Sequence, residues 1–264
     1  MNENIRYITD YLSSLRTREL GRSPELFDTM DSTNAYLKRE LTAGRAPAGA
    51  AAIALTQTAG RGRLGRVWES VPGVGLYFSL LAPRVPMELL SLVPVAVGVA
   101  ATDALTAVTG VTPGIKWPND LIVSDRKLSG ILCEGALGQA VCGIGVNLLQ
   151  DADFFARAEL PHGTSLLMET GRACSAPRLA AEIANQLEPW LDELAERRID
   201  ALIDRFRANC VSIGRQVRAI SPTGEIDGIA TDIDREGRLV IETASGPIAV
   251  SAGEVQLRTV RGYL

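Results

Sequence analysis

The sequence predicts an α+β chain: a mixed helix-and-strand domain over residues 26–212, led in by a helix within residues 1–25 and followed by a small β-barrel over 213–264. Three features predict it. Short strand-like runs with hairpin-like spacing fill the region up to Leu149, around one strongly apolar stretch. A long amphipathic stretch then begins near Ser175. Past Ile213-Gly214 the texture changes to short Val/Ile runs separated by Gly-containing turns, the pattern of about five strands closing on themselves.

Element by element, Ile5, Ile8, Leu12 and Leu15 at helical spacing predict an amphipathic first helix. A strand near Leu26–Met30 runs into Asp31-Ser32-Thr33-Asn34, a run of capping residues that opens a helix through Thr42. Strands are expected at Ala51–Gln57, Leu76–Leu81, Ile115–Trp117, Leu121–Val123, Lys127–Glu134 and Val141–Asn147. The apolar stretch Met87–Val108 is interrupted by Glu88 and Asp103, which leave too few residues between them for the ~20 a bilayer span needs. It reads as a buried helix, bent or started late at Pro94. Ser175 is expected to cap one long helical region with Pro177 in its first turn and Leu179, Ile183, Leu187, Leu191, Leu194, Leu202 and Phe206 along its apolar face. The barrel strands are expected at Val217–Ile220, Ile226–Thr231, Leu239–Glu242, Ile248–Ser251 and Val255–Leu257.

Bulk composition excludes several classes of function. With 46% hydrophobic residues, 22% charged residues and a net charge of −4, nothing global favours nucleic acid or a membrane surface as the main partner. Cys133, Cys142, Cys174 and Cys210 form no CxxC pair and read as reduced thiols of a cytoplasmic protein. The polar N-terminus has no secretory h-region. His162 is the one histidine, which argues against a histidine base and multi-histidine metal sites, although carboxylate sites stay open.

Gly60-Arg61-Gly62-Arg63-Leu64-Gly65-Arg66 matches GxGxxG, yet a dinucleotide fingerprint must open a helix, and here Pro72, Gly73 and Gly75 lead into a strand. No Gly-Lys-Ser/Thr follows, so it is not a Walker loop either. What remains is three guanidinium forks spaced by glycines that let backbone approach an anion, followed by Trp68, whose indole can stack on a ring. The alternative is a solvated basic turn.

Lys116-Trp117-Pro118-Asn119-Asp120 fits a tight turn between strands, with Pro118 holding Trp117 extended. Lysine is scarce: Lys38, Lys116 and Lys127 are the three among 27 basic residues, and two of them fall close together here. A compact ammonium can contact a single oxygen in a narrow pocket where a guanidinium cannot. Gly143-Ile144-Gly145-Val146-Asn147 is a strand whose missing side chains admit close approach of a ligand, and Asn147 could pair with adenine or close a turn.

These segments resemble the biotin–protein ligases: Asp31–Asn34, Gln57–Ala59 leading into Gly60–Trp68, Lys116–Leu121, Lys127–Leu132 and Gly143–Asn147, in order, with His162–Leu166 and Gly253–Val255 adding to the match. The resemblance covers residues 26–262 and implies a mixed-sheet catalytic domain related to lipoate ligases, followed by an SH3-like barrel. It implies an enzyme, biotin–[biotin carboxyl-carrier protein] ligase, using ATP, biotin and Mg²⁺ and serving a carrier protein or domain as monomer or homodimer. By similarity, Ser32, Thr33, Asn34 and Gln57 hold biotin, and Arg61, Gly62 and Arg63 close over the phosphate of the adenylate with Arg66 and Trp68 beside the nucleotide. Lys127 contacts biotin's carboxylate and the reacting phosphate oxygens. Lys116 helps with the ATP phosphates, Asp120 orients the incoming lysine, and Asn147 contacts adenine. Arg258 is a candidate contact from the barrel. Some relatives add an N-terminal helix-turn-helix domain; the residues before the first motif are too few for one, so the ligase-only type without DNA binding is expected.

Lipoate or octanoate transfer on the same fold is the nearest rival; the Arg-Gly loop and the histidine-poor sequence favour biotin. A non-catalytic biotin or nucleotide sensor is the rival of another class, and it would not require Lys127 with Asp120.

Overall fold

The computed structural model describes residues 3–221, 224–252 and 256–259. Helix α1 (Glu3–Ser14) precedes strand β1 (Ser23–Met30), helix α2 (Thr33–Thr42) and strand β2 (Ala50–Gln57). After the Arg-Gly segment come β3 (Gly75–Leu81), helix α3 (Val93–Thr109), and strands β4 (Gly114–Lys116), β5 (Asp120–Val123), β6 (Arg126–Ala136) and β7 (Gln139–Asn147). Four helices follow, α4 (Ala152–Arg157), α5 (Leu166–Thr170), α6 (Ala176–Ala195) and α7 (Asp200–Asn209). Strands β8 (Gln216–Ser221), β9 (Gly224–Ile233), β10 (Leu239–Thr243), β11 (Gly246–Val250) and β12 (Gln256–Thr259) complete the chain.

The first seven strands make one sheet in the order β1-β2-β3-β7-β6-β5-β4. β1 and β2 run parallel across the α2 connection, and the other neighbours pair antiparallel, so the sheet is mixed as expected. β2 shows why its sequence is nearly all apolar: Ala51 and Ile53 enter the main core, while Ala50 and Ala52 face Leu37 of α2. A strand covered on both faces cannot alternate with polar residues.

Met87–Thr109 is long and apolar enough to cross a membrane, but 67% of its most apolar window is buried within the protein. It divides into a 3₁₀ turn at Met87–Leu92 and α3, with Pro94 in the first turn of the helix, as a late start predicts. α3 packs on α6, α7 and the sheet. Its Leu105 is fully buried, and truncation to Ala at such a position costs about 2–5 kcal/mol.

Three local expectations are corrected. Ser175 stands at the N-cap of α6 but makes no side-chain capping bond; its carbonyl accepts from Leu179 N–H instead. The expected single helical region is two helices, interrupted where Arg197 adopts φ +62°. Trp117 lies in the turn after β4, through a cis Trp117–Pro118 peptide, and Asp120 already belongs to β5.

The last five strands form an antiparallel sheet in the order β11-β10-β9-β8-β12, near the expected positions; Gly253–Val255 lie outside the described residues. Arg258 sits on β12 opposite Arg218. This sheet shares one continuous hydrophobic cluster with the main body. Trp117, 1% exposed, donates its indole N–H to the Gly237 carbonyl at 3.0 Å, so the lysine-bearing turn also fastens the C-terminal sheet.

Candidate active site

A cavity of about 350 Å³ opens against β6 and β7, and apart from Arg258 on β12 every site residue singled out from the sequence lines it. The floor is glycine. A Cβ on Gly145 would lie 2.5 Å from Trp68 Cε2, one on Gly130 2.7 Å from Trp68 Cζ3, and one on Gly143 2.2 Å from Asn34 Oδ1. Each distance is impossible for a real side chain, so these glycines make the slot that the indole and amide enter.

One end of the cavity is a fixed polar pocket. Ser32 caps α2, its hydroxyl accepting from Ala35 N–H, which places Thr33 and Asn34 in the first helical turn, all three at most 4% exposed. The Thr33 N–H donates to Gln57 Oε1 at 2.8 Å. Asn34 Nδ2 donates to the Leu132 carbonyl and to Glu134 Oε2, both at 2.9 Å, and its Oδ1 accepts from Ser79 Oγ at 2.7 Å. Lys38 Nζ reaches Glu134 Oε1 at 2.7 Å. Burial pushes the Glu134 carboxyl up, but the Lys38 ammonium and Asn34 amide outweigh it and hold it below the ordinary glutamate value.

The Arg-Gly segment folds on itself as a small hairpin. Arg61 bridges Val67, Gly62 N–H donates to Arg66 carbonyl at 2.7 Å, and a 3₁₀ turn at Arg63–Gly65 closes the tip with Leu64 at φ +56°. Arg61 and Arg66 are exposed. Arg63 is half-buried: it donates to Asn119 Oδ1 at 3.2 Å and to the Ala252 carbonyl of the C-terminal sheet's trailing segment. Burial lowers its guanidinium pKa from the ordinary value, against the opposing pull of Asp120. Desolvated in this way, the cation interacts more strongly with any anion that enters.

Lys116 is 5% exposed and lines the same wall. Lys127 Nζ sits 2.7 Å from Asp120 Oδ1 and 5.4 Å from the Trp68 ring centroid. Asn147, 7% exposed, donates to the Thr164 carbonyl at 3.0 Å and accepts from Gln150 Nε2 at 3.3 Å.

Several lining or supporting residues were not anticipated. Ser79 was legible as one polar residue inside an apolar strand. Glu134 continues the period-2 face of Gly130 and Leu132. Phe154, Phe155 and Leu160 reach the cavity from α4 and the segment after it, where the sequence shows no clear periodicity.

The arrangement combines a pocket of hydroxyls and amides, a glycine floor and clustered cations, which suits a substrate with an amide-like head and a developing negative charge at the other end. Comparison with known proteins follows the same line. The Biotin/lipoate A/B protein ligase family profile matches residues 26–151, and the Biotin protein ligase C terminal domain profile matches residues 212–258. The biotin–[acetyl-CoA-carboxylase] ligase of Mycobacterium tuberculosis is 34% identical over 92% of this chain and 93% of its own length. This chain belongs to the biotin protein ligase family.

Within that family, the bifunctional ligase/repressor BirA of Escherichia coli is 32% identical across 90% of this chain and 75% of its own length. The biotin protein ligase of Aquifex aeolicus, solved in complex with biotin and ATP, superposes with a TM-score of 0.78 at 28% identity, covering 90% of this chain and 99% of that one. The mixed-sheet catalytic part and the SH3-like C-terminal part are therefore those of a biotin protein ligase.

Proposed function

We propose that the chain forms biotinyl-5′-AMP from biotin and MgATP and transfers biotin to one lysine of a biotin carboxyl carrier domain of the acetyl-CoA carboxylase type. The observation that carries this reading is the sharing of one cavity by Arg61, Arg63, Arg66, Lys116 and Lys127 with the pocket of Ser32, Thr33, Asn34 and Gln57. Relatives named for biotin and the biotin-specific C-terminal profile favour biotin over lipoate, since the catalytic profile spans both ligase types.

In the first step a biotin carboxylate oxygen attacks the α-phosphorus of ATP and the bond to pyrophosphate breaks. Charge builds on phosphate oxygens, so preorganised cations are the main requirement. Ser32, Thr33, Asn34 and Gln57 hold the ureido ring and tail, and Gly62 lets the loop backbone approach the intermediate. Arg61, Arg63 and Arg66 neutralise phosphate, and Lys116 takes ATP oxygens. Lys127 bridges the reacting carboxylate and phosphate. Trp68 and Asn147 face adenine. In the second step the carrier lysine's amine attacks the acyl carbon, AMP leaves, and Asp120 orients the amine and receives its proton. Mg²⁺ would enter with ATP and supply further positive charge to its phosphates beside Lys116.

The reading places the enzyme in the cytoplasm and gives it no DNA-binding role, in keeping with a net charge of −4. Salt-dependent retention on biotin-operon DNA would add such a role. Incubation with ATP, carrier domain and either biotin or lipoate tests the main proposal: biotin alone should be attached, to a single lysine. Attachment of lipoate, or none of biotin, rejects it.

A further inference from the structure

Lys127 is held by its backbone as well as by its charge. Its N–H donates to the His162 carbonyl at 2.7 Å, and its own carbonyl accepts from Thr164 N–H at 2.9 Å, a parallel bridge centred on Gly163. The Asn147 amide closes the other side, reaching the carbonyls of Thr164 and, at 3.5 Å, Lys127. What secures this clasp is one carboxylate outside the cavity. Glu169 of α5, its side chain 8% exposed, accepts from Thr164 Oγ1 at 2.6 Å and from Arg126 Nη2 at 2.8 Å on Oε1, and from Ser124 Oγ at 3.1 Å on Oε2.

The geometry of these bonds is directional. Arg126 precedes Lys127 on β6, and Thr164 follows Gly163 on the clasping segment, so Glu169 ties together the two backbones that meet at Lys127. No motif in the sequence analysis includes it. Glu169 does not line the cavity. A buried carboxylate with an ion-paired arginine and two hydroxyl donors is a rigid three-way anchor, because each charge-assisted bond fixes direction as well as distance.

We infer that Glu169 is a positioning residue for the adenylation step, setting the Lys127 ammonium where the reacting carboxylate and phosphate oxygens meet. This rests on the ligase reading above. Loss of the anchor lets the clasp shift, and a displacement near 1 Å at a reacting group costs on the order of 100-fold in rate.

The test is a double-mutant cycle on biotin-dependent exchange of labelled pyrophosphate into ATP, using the full chain. Glu169→Ala should lower kcat roughly 10- to 100-fold with a much smaller rise in KM for biotin, most of whose proposed contacts lie in the Asn34 pocket rather than at Lys127. Glu169→Gln, whose amide oxygen still accepts from Thr164 while its N–H can donate to Ser124 Oγ, should recover part of the rate. Added to Lys127→Met, Glu169→Ala should cause no further loss, because Glu169 acts only through Lys127. Thr164→Val supplies a second route into the same anchor, for use if Glu169→Ala does not fold, and should show the same dependence on Lys127. Additive losses in the cycle, or a parallel rise in KM, would show a general structural role and overturn the inference. A parent chain without exchange would overturn the ligase reading itself, and the positioning role with it.

Discussion

Trp68 lies across Gly145 so closely that a Cβ at that position would come within 2.5 Å of the indole, yet the indole Nε1 has no hydrogen-bond acceptor among the described residues. The ring is therefore seated by packing, and by Lys127 Nζ over its face, without a polar bond to fix it. It can move without breaking a hydrogen bond.

Gly145→Val should consequently unseat the indole. We expect a red-shifted Trp68 emission and a rise of roughly tenfold or more in KM for ATP, the scale of losing one base-stacking contact of about 1–3 kcal/mol. Steady-state kinetics and fluorescence of the variant, with a Trp68→Phe control, check it. An unchanged spectrum and KM would mean that the glycine floor does not set the indole.

Arg63→Gly removes the donor that reaches Asn119 and the Ala252 carbonyl, together with one proposed phosphate contact. A charge-assisted bond contributes about 1.5–3 kcal/mol, so biotinyl-5′-AMP should dissociate at least tenfold faster. Its off-rate, followed by trapping the released adenylate, is the measurement. Retention equal to the parent would remove Arg63 from the phosphate loop.

Lys127→Arg keeps the charge but replaces a compact ammonium, placed 2.7 Å from Asp120 in a part-buried setting, with a larger planar fork. Adenylation should fall by at least 100-fold, the order expected for a reacting group displaced by about 1 Å. Near-normal turnover would contradict the role given to Lys127.

Much of this arrangement was legible in the sequence, and the reasons are physical. Three arginines spaced by glycines, and two of three lysines within one stretch, are compositional departures that local physics alone explains poorly, and the structure brings them to one cavity. Ser32 was legible because capping is local. Ser175 was misread for the complementary reason: a residue type suited to capping stands at the right place, but its hydroxyl makes no bond to the helix. Glu169 and Glu134 were not legible as site supports, since their partners lie far along the chain: Arg126 for one, Lys38 and Asn34 for the other. Pairings of that kind are set by strand register, which no single segment encodes.

The depressed Glu134 carboxyl makes a pH prediction. A carboxyl whose folded pKa is lowered stabilises the fold fully above its unfolded pKa of about 4.3, and that stabilisation is lost as pH falls through the lowered folded value. Parent and Glu134→Gln should thus differ in Tm at pH 6, with the gap closing as pH drops below about 4. A gap that stays constant to pH 3 would mean that the Lys38 and Asn34 contacts do not hold the ionised form.

The central claim is that the clustered cations of this cavity stabilise an acyl-adenylate built from biotin. Exchange of labelled pyrophosphate into ATP by the purified chain measures that step alone, without a carrier protein. Exchange that appears with biotin and is absent with lipoate or octanoate is the expected result; no exchange with biotin, or equal exchange with lipoate, would contradict it.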